Sequence, residues 1–505
     1  MALFLPGRVK QPGCLPGQGA RPSRKHESAN VSFCDPVQST GFPKQTMHQP
    51  TTQVKNKVTG KRGNIHGILG LLILVISELL MFNGIEPFAS WFYFLAWWSY
   101  ILIVDSLVYK IKKNSLIMNR QGEFFLMLFW SAFIWTFFEA VNLILQNWYY
   151  VNVVPNLIIR WLGYGIAYAT VLPALFETTE FLESLGLFKG SRLKPISVNR
   201  SWIIIFFTLG IGFLLGVLFY PRYCYAFIWG GLIFLLEPIN YRWGSKSLLR
   251  DWQNGSLRKF YLLLVAGLIC GILWEFWNFW ATTKWIYTVP FLEELKLFEM
   301  PLLGFFGFPP FAVECYVMYN FISLFRHQRG WEEDTYRLNR RKKVKLSLCT
   351  VSSLAGLAFC LCIYNAMDNY TVSSYWSDMK DLQSINHKAA VGFESLEITT
   401  PHEFLVKAAS KHERKVLASK LKVSESEILR WMKLAELAEL KGMGILNANL
   451  LYSAGIEHIP ALAKQEPAVL HKKLVALNPQ SEDMPIPRES IIMVWIREAQ
   501  RRIRN

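Results

Sequence analysis

The sequence predicts an all-α membrane protein: a polytopic helix bundle of two parallel four-helix repeats, one further span, and a small external helical domain. Three observations lead there. The 505 residues are 52% hydrophobic, with 19 Trp and 36 Phe. Their apolar runs, nine in all, approach or exceed the ~20 residues a helix needs to cross hydrocarbon. Within those runs a set of mainly polar residues is written twice. Glu139-x-x-Asn142, Trp148-x-Tyr150 and Pro173-x-x-x-Glu177 return about 136 residues later as Glu275-x-x-Asn278, Trp285-x-Tyr287 and Pro310-x-x-x-Glu314.

The expected spans lie near 65–83, 88–108, 122–146, 156–182, 201–220, 222–240, 260–281, 301–325 and 346–366. A net charge of +17 invites a nucleic-acid reading. Its distribution argues otherwise, because the basic residues gather in alternate loops. Lys110, Lys112, Lys113 and Arg120 follow span two, and Lys189, Arg192, Lys194 and Arg200 follow span four. Arg242, Lys246, Arg250, Arg258 and Lys259 follow span six, and a dense run over 326–345 follows span eight. The intervening 84–87 and 147–155 carry none. Basic loops mark the cytoplasmic side. The expectation is an integral plasma (inner) membrane protein with its N-terminus cytoplasmic and, after nine crossings, its C-terminal domain extracytoplasmic.

Residues 1–62 are rich in Pro, Gly, Gln, Ser and basic residues and lack a long apolar run, which predicts a disordered basic cytoplasmic tail. Membrane repeat one spans 63–185, repeat two 198–326 and the ninth helix 345–367. Cys360-x-Cys362 sits in an apolar segment without a Cys or His companion pair, so no zinc site is expected. No other metal and no cofactor is implied.

The duplication extends further. Tyr93/Tyr225, Trp97/Trp229, Asp105/Glu237 and Tyr109/Tyr241 are all 132 residues apart, as are Ser115/Ser247 and Leu116/Leu248. Spans one and five show no match. An even number of spans per unit makes the repeats parallel, related by an axis along the membrane normal. Glu139 and Asn142 share a helix face, as do Glu275 and Asn278. Asp105 with Tyr109 and Glu237 with Tyr241 do likewise.

Carboxyls in lipid are costly and mark functional interiors. Protonated, they serve as general acids or proton carriers; ionised, they bind cations. Glu139, Glu275, Glu177 and Glu314 are therefore the catalytic candidates. Asn142, Asn278, Asp105, Glu237, Tyr109, Tyr241, Trp148 and Trp285 are the substrate-binding candidates. Arg160 is the main basic residue at membrane depth available to pair with the acids. Pro173 and Pro310 are expected to kink their helices and free a carbonyl beside Glu177 and Glu314. Each element has a plainer reading. The Trp and Tyr residues fit an interfacial aromatic belt, and the Glu-x-x-Asn pairs fit interhelical glue. Glu293, Glu294 and Glu299 fit a solvated outer loop.

Residues 399–505 read as a soluble helical domain. Thr400-Pro401-His402-Glu403 marks a helix start. An amphipathic helix over 427–440 carries Leu429, Leu434, Leu437 and Leu440 as core candidates. These residues resemble the bacterial domain of unknown function 4332, built from helix-hairpin-helix-like units. The resemblance is carried by Leu429-Arg430-Trp431, Leu434-Ala435-Glu436-Leu437, Leu440-Lys441-Gly442-Met443-Gly444, Ala454-Gly455-Ile456 and Trp495-Ile496. It implies a fold and assigns no activity. Helix-hairpin-helix turns often hold DNA phosphate on backbone N–H groups. Outward topology opposes nucleic acid here, so a protein partner or self-association through 399–505 is expected, with membrane lipid around the bundle.

The order acid, Trp-x-Tyr, glycines, Pro-then-Glu is similar to that of the small membrane carotenoid (lycopene) cyclases, which are also duplicated. That family carries Pro-x-Glu-Glu or Pro-x-Glu-Asp, whereas this chain has Pro-x-x-x-Glu and four spans per repeat rather than three. The resemblance implies acid-initiated polyene cyclisation in a dry aromatic pocket. Three functions stand: a site for a lipid-soluble, isoprenoid-like substrate; a small-solute or proton-coupled transporter; and a non-catalytic anchor or sensor presenting the external domain.

Overall fold

The computed structural model describes residues 65–290, 295–326, 330–332, 346–383, 385–477 and 486–504. The tail expected over 1–62, Glu293, Glu294 and most of the basic run 326–345 lie outside the described residues.

Eight helical segments among the described residues are long and apolar enough to cross a membrane. The first repeat comprises α1 (Ile65–Phe82), α2 (Phe88–Lys112), short α3 (Leu116–Asn119), α4 (Gln121–Leu145), and a broken pair, α5 (Leu157–Tyr168) and α6 (Val171–Ser184). The second comprises α7 (Arg200–Phe219), short α8 (Pro221–Cys224), α9 (Ile228–Trp243), α10 (Leu248–Gln253), α11 (Arg258–Trp280), a 3-10 segment (Leu302–Gly307) and α12 (Phe308–Ser323). The ninth expected span is α13 (Leu346–Tyr370), 25 residues long.

Local signals set these boundaries. Asn156 caps α5 and Asn199 caps α7, each side chain accepting a first-turn backbone N–H. Lys113, Gln146 and Gly244 end α2, α4 and α9 in the left-handed conformation.

The match missing between spans one and five is supplied by the packing. A Cβ on Gly70 of α1 would lie 2.7 Å from the Ser99 carbonyl of α2, and one on Gly210 of α7 would lie 3.1 Å from the Gly231 carbonyl of α9. Ser99 and Gly231 are themselves repeat partners, 132 residues apart. Gly70 and Gly210 therefore occupy the same place in the two first-helix contacts, in a register that alignment of their other residues hides.

Both prolines follow closely on an interruption in the regular helix of their span. The chain breaks at Ala169–Thr170 and at Gly307, and Pro173 and Pro310 occupy the first turn of α6 and α12. A first-turn N–H has no intrahelical acceptor, so proline is tolerated there. In the first repeat Ser131 of α4 bridges the break. Its hydroxyl donates to the Tyr168 carbonyl at 2.6 Å and accepts the Leu172 N–H at 3.0 Å. The second repeat has Gly267 at the equivalent position, and a Cβ there would lie 2.5 Å from the Phe308 carbonyl. Gly267 and Gly271 let α11 lie directly on α12, a small-xxx-small contact.

The two repeats meet at one end in a β-ribbon that helical periodicity does not predict. Strand β1 (Trp148–Val151) pairs antiparallel with β2 (Lys284–Tyr287), Trp148 opposite Tyr287 and Tyr150 opposite Trp285. Exchanging the repeats maps this pairing onto itself, so a local twofold runs through the ribbon. Aromatic and β-branched residues favour such a pairing. Residues 371–376 run along the other edge of β1: the Tyr150 N–H donates to the Thr371 carbonyl at 2.7 Å and the Ser373 N–H to the Tyr150 carbonyl at 2.8 Å. A second hairpin, β3 (Lys296–Leu297) with β4 (Met300–Pro301), precedes the 3-10 segment.

Alternation gives the ribbon two faces. Trp148, Tyr150, Trp285 and Tyr287 join the core of the bundle. Tyr149, Val151 and Ile286 join the core of the C-terminal domain. Burying each apolar side chain contributes on the order of 1.5–3 kcal/mol.

That domain comprises α14 (His387–Ser395), α15 (Pro401–Lys407), α16 (Lys411–Leu421), α17 (Glu425–Ala438), α18 (Gly444–Ser453), α19 (Ile459–Ala463), α20 (Pro467–Leu477) and α21 (Glu489–Arg504). Its packing starts before 399, since Met379, Leu382, Ala389 and Phe393 share the core. Capping boxes at Thr400/Glu403, Ser410/Glu413 and Ser424/Glu427 start three helices. Leu434, Leu437 and Leu440 are buried as expected. Leu429 is 43% exposed instead, and its neighbours Ile428 and Trp431 fill the core.

The opposite end of the bundle is closed by Trp331. Its ring stacks on Phe176 at 5.1 Å, and its carbonyl accepts Arg120 Nη1 at 2.5 Å. Glu332 beside it pairs with Lys246 at 2.5 Å and with Lys259.

Candidate functional site

At the ribbon end, α4 and α11 bring the duplicated motif together. Asn142 and Asn278 are committed to the ribbon backbone. Asn142 Nδ2 donates to the Trp148 carbonyl at 2.9 Å and its Oδ1 accepts the Asn147 N–H at 2.9 Å. Asn278 Nδ2 donates to the Trp285 carbonyl at 2.9 Å and its Oδ1 accepts the Trp285 N–H at 3.0 Å. The amides thus hold each strand on the helix before it.

Glu139 and Glu275 receive the ribbon's tyrosines. Tyr150 donates to Glu139 Oε1 at 2.5 Å, and Tyr287 donates to Glu275 Oε1 at 2.7 Å. Burial, then the neighbouring carboxyl, pushes both tyrosine hydroxyls well above the usual range, so both remain donors.

The two acids then diverge. Glu139 also accepts from Trp135 Nε1 at 2.9 Å and Trp148 Nε1 at 3.2 Å. Glu275 has Gly271 where Trp135 stands, and the ring of Phe308 fills that space without offering a donor. Among the described residues Glu275 Oε2 has no hydrogen-bond partner, although it is buried. Trp148 and Trp285 face inward on the ribbon rather than forming a belt toward lipid; they are 7% and 9% exposed.

Two aromatic clefts flank the acids. Tyr93 and Trp97 line the first, and their repeat partners Tyr225 and Trp229 line the second. Trp135, Tyr150, Trp274 and Trp285 line both, so the clefts adjoin beneath the ribbon. Tyr150 and Tyr287 connect the cleft walls to the carboxyls behind them.

The remaining candidates lie apart from this site. Asp105 sits toward the opposite end, accepting from Ser115 Oγ at 2.9 Å and the Ile117 N–H at 2.8 Å, with His66 Nε2 at 2.9 Å. Glu237 repeats the arrangement with Ser247 Oγ at 2.6 Å and the Leu249 N–H at 2.9 Å. These contacts fasten α3 and α10 to the bundle. Glu177 is fully buried, its carboxyl beside that of Asp105. Glu314 accepts the Leu232 N–H at 2.9 Å. Tyr109 lies under Lys113 at 6.0 Å, and Tyr241 lies under Arg250 at 5.6 Å.

Two pairings differ from expectation. Arg160 pairs with none of the repeated acids. It forms a bidentate ion pair with Asp368 of α13 at 2.8 and 3.0 Å, and spends Nη1 on the carbonyls of Val154 and Pro155. Asp368 has no repeat partner, so the duplication could not flag it. Glu299 is not solvated: it is 1% exposed and paired with Lys441. Sequence reasoning also passed over Trp135, whose indole is what distinguishes Glu139 from Glu275. Among the described residues no group of three or more His, Cys, Asp or Glu is placed to hold a metal ion.

Fold and site together define a helix bundle, eight of whose described helical segments are long and apolar enough to cross a membrane, with a helical domain seated on its ribbon. Residues 383–502 match the family model described as Domain of unknown function (DUF4332). No curated protein and no solved structure matches the chain. In the matched region the turn Lys441–Gly444 is what contacts the ribbon. A Cβ on Gly442 would lie 2.8 Å from Val151. Ser373 Oγ donates to the Gly442 carbonyl at 3.3 Å, and the Ile445 N–H donates to Ser377 Oγ at 2.9 Å.

Proposed function

We propose that the bundle receives a lipid-soluble, isoprenoid-like substrate in the two clefts, with Glu275 and Glu139 as acid/base groups behind Tyr287 and Tyr150. The observation that carries this reading is that tyrosines lining the aromatic clefts, Tyr150 and Tyr287, donate to the buried carboxyls of Glu139 and Glu275. Aromatic faces favour a developing cation, and a dry pocket strengthens a proton donor's effect. Lipid extracts of a deletion strain should differ from wild type, and Glu275→Gln should fail to restore the missing species. Normal extracts from the Glu275→Gln strain would refute the acid role.

The sensor reading is favoured by a separate observation: one ribbon carries the acids' tyrosines on one face and the C-terminal domain on the other. Occupation of the Lys441–Gly444 turn by the ribbon also supports protein contact over nucleic acid for this domain. We place the ribbon end outside and the basic end, with Lys112, Arg120, Lys246 and Lys259, in the cytoplasm. A reporter fused after Asn505 that is active only in the cytoplasm would overturn that orientation.

A further inference from the structure

We infer that the first cleft takes an apolar molecule carrying a neutral oxygen acceptor, such as a ketone or quinone carbonyl, and that Tyr93 donates the hydrogen bond that seats it. The inference rests on the clefts being ligand sites.

Six tyrosines line the two clefts, and five spend their hydroxyls within the protein. Tyr150 donates to Glu139, Tyr287 to Glu275, Tyr164 to Asp368 at 3.1 Å, Tyr168 to Tyr150 at 3.2 Å, and Tyr225 to the Pro290 carbonyl at 3.5 Å. The hydroxyl of Tyr93 donates to no acceptor among the described residues. Its ring is held edge-on by Trp285 at 4.9 Å and by Trp97 at 6.4 Å. The buried Trp97 indole N–H lies against the Tyr93 oxygen. A donor on that side of the oxygen leaves the phenolic proton directed elsewhere.

Trp91, Phe94, Ala174 and Leu175 of the wall around it are apolar. Unspent donors in a low-dielectric site are unfavourable, and a ligand oxygen removes that penalty. The charged residues of the same wall are already engaged, Arg160 by Asp368 and Lys284 by the Phe279 carbonyl at 2.6 Å. Burial also lowers the pKa of the Lys284 amine. The wall is therefore left to recognise a neutral acceptor rather than an anionic head. In the second cleft the equivalent Tyr225 is spent on Pro290, so the two clefts differ in the one atom that would orient an elongated ligand. Its oxygen belongs at Tyr93, and its hydrocarbon extends past Trp135 and Trp274 into the second cleft.

The test uses the full chain in nanodiscs, a brominated long-chain ketone and the matching brominated alkane, with tryptophan quenching read above that from bulk partition. Both probes should quench the wild type, the ketone binding roughly five- to tenfold tighter, the worth of one hydrogen bond. Tyr93→Phe should erase the preference and leave alkane binding unchanged, which also shows that the cleft still forms. Equal binding of the two probes to the wild type, or a preference that survives Tyr93→Phe, would overturn the inference while leaving the clefts as ligand sites. Absence of quenching by either probe would overturn the clefts themselves and the inference with them.

Discussion

Gly442 of the C-terminal domain and Val151 of the ribbon touch across the seam between domain and bundle, 2.8 Å separating the Val151 Cγ1 from where a Gly442 Cβ would stand. Gly442 also has a φ of +72°, which favours glycine. Gly442→Val meets both obstacles, and we expect it to weaken docking by about 1–3 kcal/mol. Amide exchange over 148–151 and 284–287 should then accelerate while the domain's own helices stay protected. Unchanged protection of the ribbon would show that this turn does not hold it.

The two asparagines carry a measurable share of the ribbon's stability. Asn142→Ala or Asn278→Ala strands a backbone N–H and a carbonyl in a buried place, at a cost of about 1–3 kcal/mol each. Melting in detergent should fall for both.

Arg160 and Asp368 form a buried pair joining α5 to α13. Removing one partner leaves the other charge uncompensated, so Asp368→Leu alone should destabilise by about 3–5 kcal/mol. Adding Arg160→Met to it should recover much of that loss. A double variant as unstable as the sum of the singles would argue against a coupled pair.

Glu332 supplies a pH dependence outside the spans. Burial alone would raise its pKa, but Lys259 and Lys246 outweigh burial and hold it at about 2. A depressed carboxyl stabilises the fold above its ordinary value near 4.5 and loses that contribution as pH falls toward about 2. Acidification through this window should expose Trp331, read as a red shift of its fluorescence in a variant where other changes are subtracted. Glu332→Gln should flatten the response there.

Much of this arrangement was legible because the chain repeats itself. Two copies of Glu-x-x-Asn and Trp-x-Tyr identified the ribbon end. The Asp105/Glu237 and Ser115/Ser247 pairs appear in the structure as the same hydrogen bond at each repeat. What escaped was anything without a second copy. Asp368 and Trp331 occur once, and their partners are distant in sequence. Helical periodicity also says nothing of two four-residue strands that meet only after both repeats are folded. The duplicated Pro-x-x-x-Glu spacing marks where regular helix is interrupted, but Ser131, which bridges that interruption from another helix, carries no local signal of doing so.

The self-complementary register of the ribbon has a consequence for how such a chain can diversify. Each half already carries one strand of an isologous contact, the kind a twofold homodimer makes. A true homodimer must place the same side chain on both sides of its axis. Covalent fusion lifts that constraint, and the two halves differ at matched positions: Trp135 corresponds to Gly271, and Ser131 to Gly267. One half has become the clamp and the other has kept an unclaimed oxygen, a division of labour that two identical subunits could not encode.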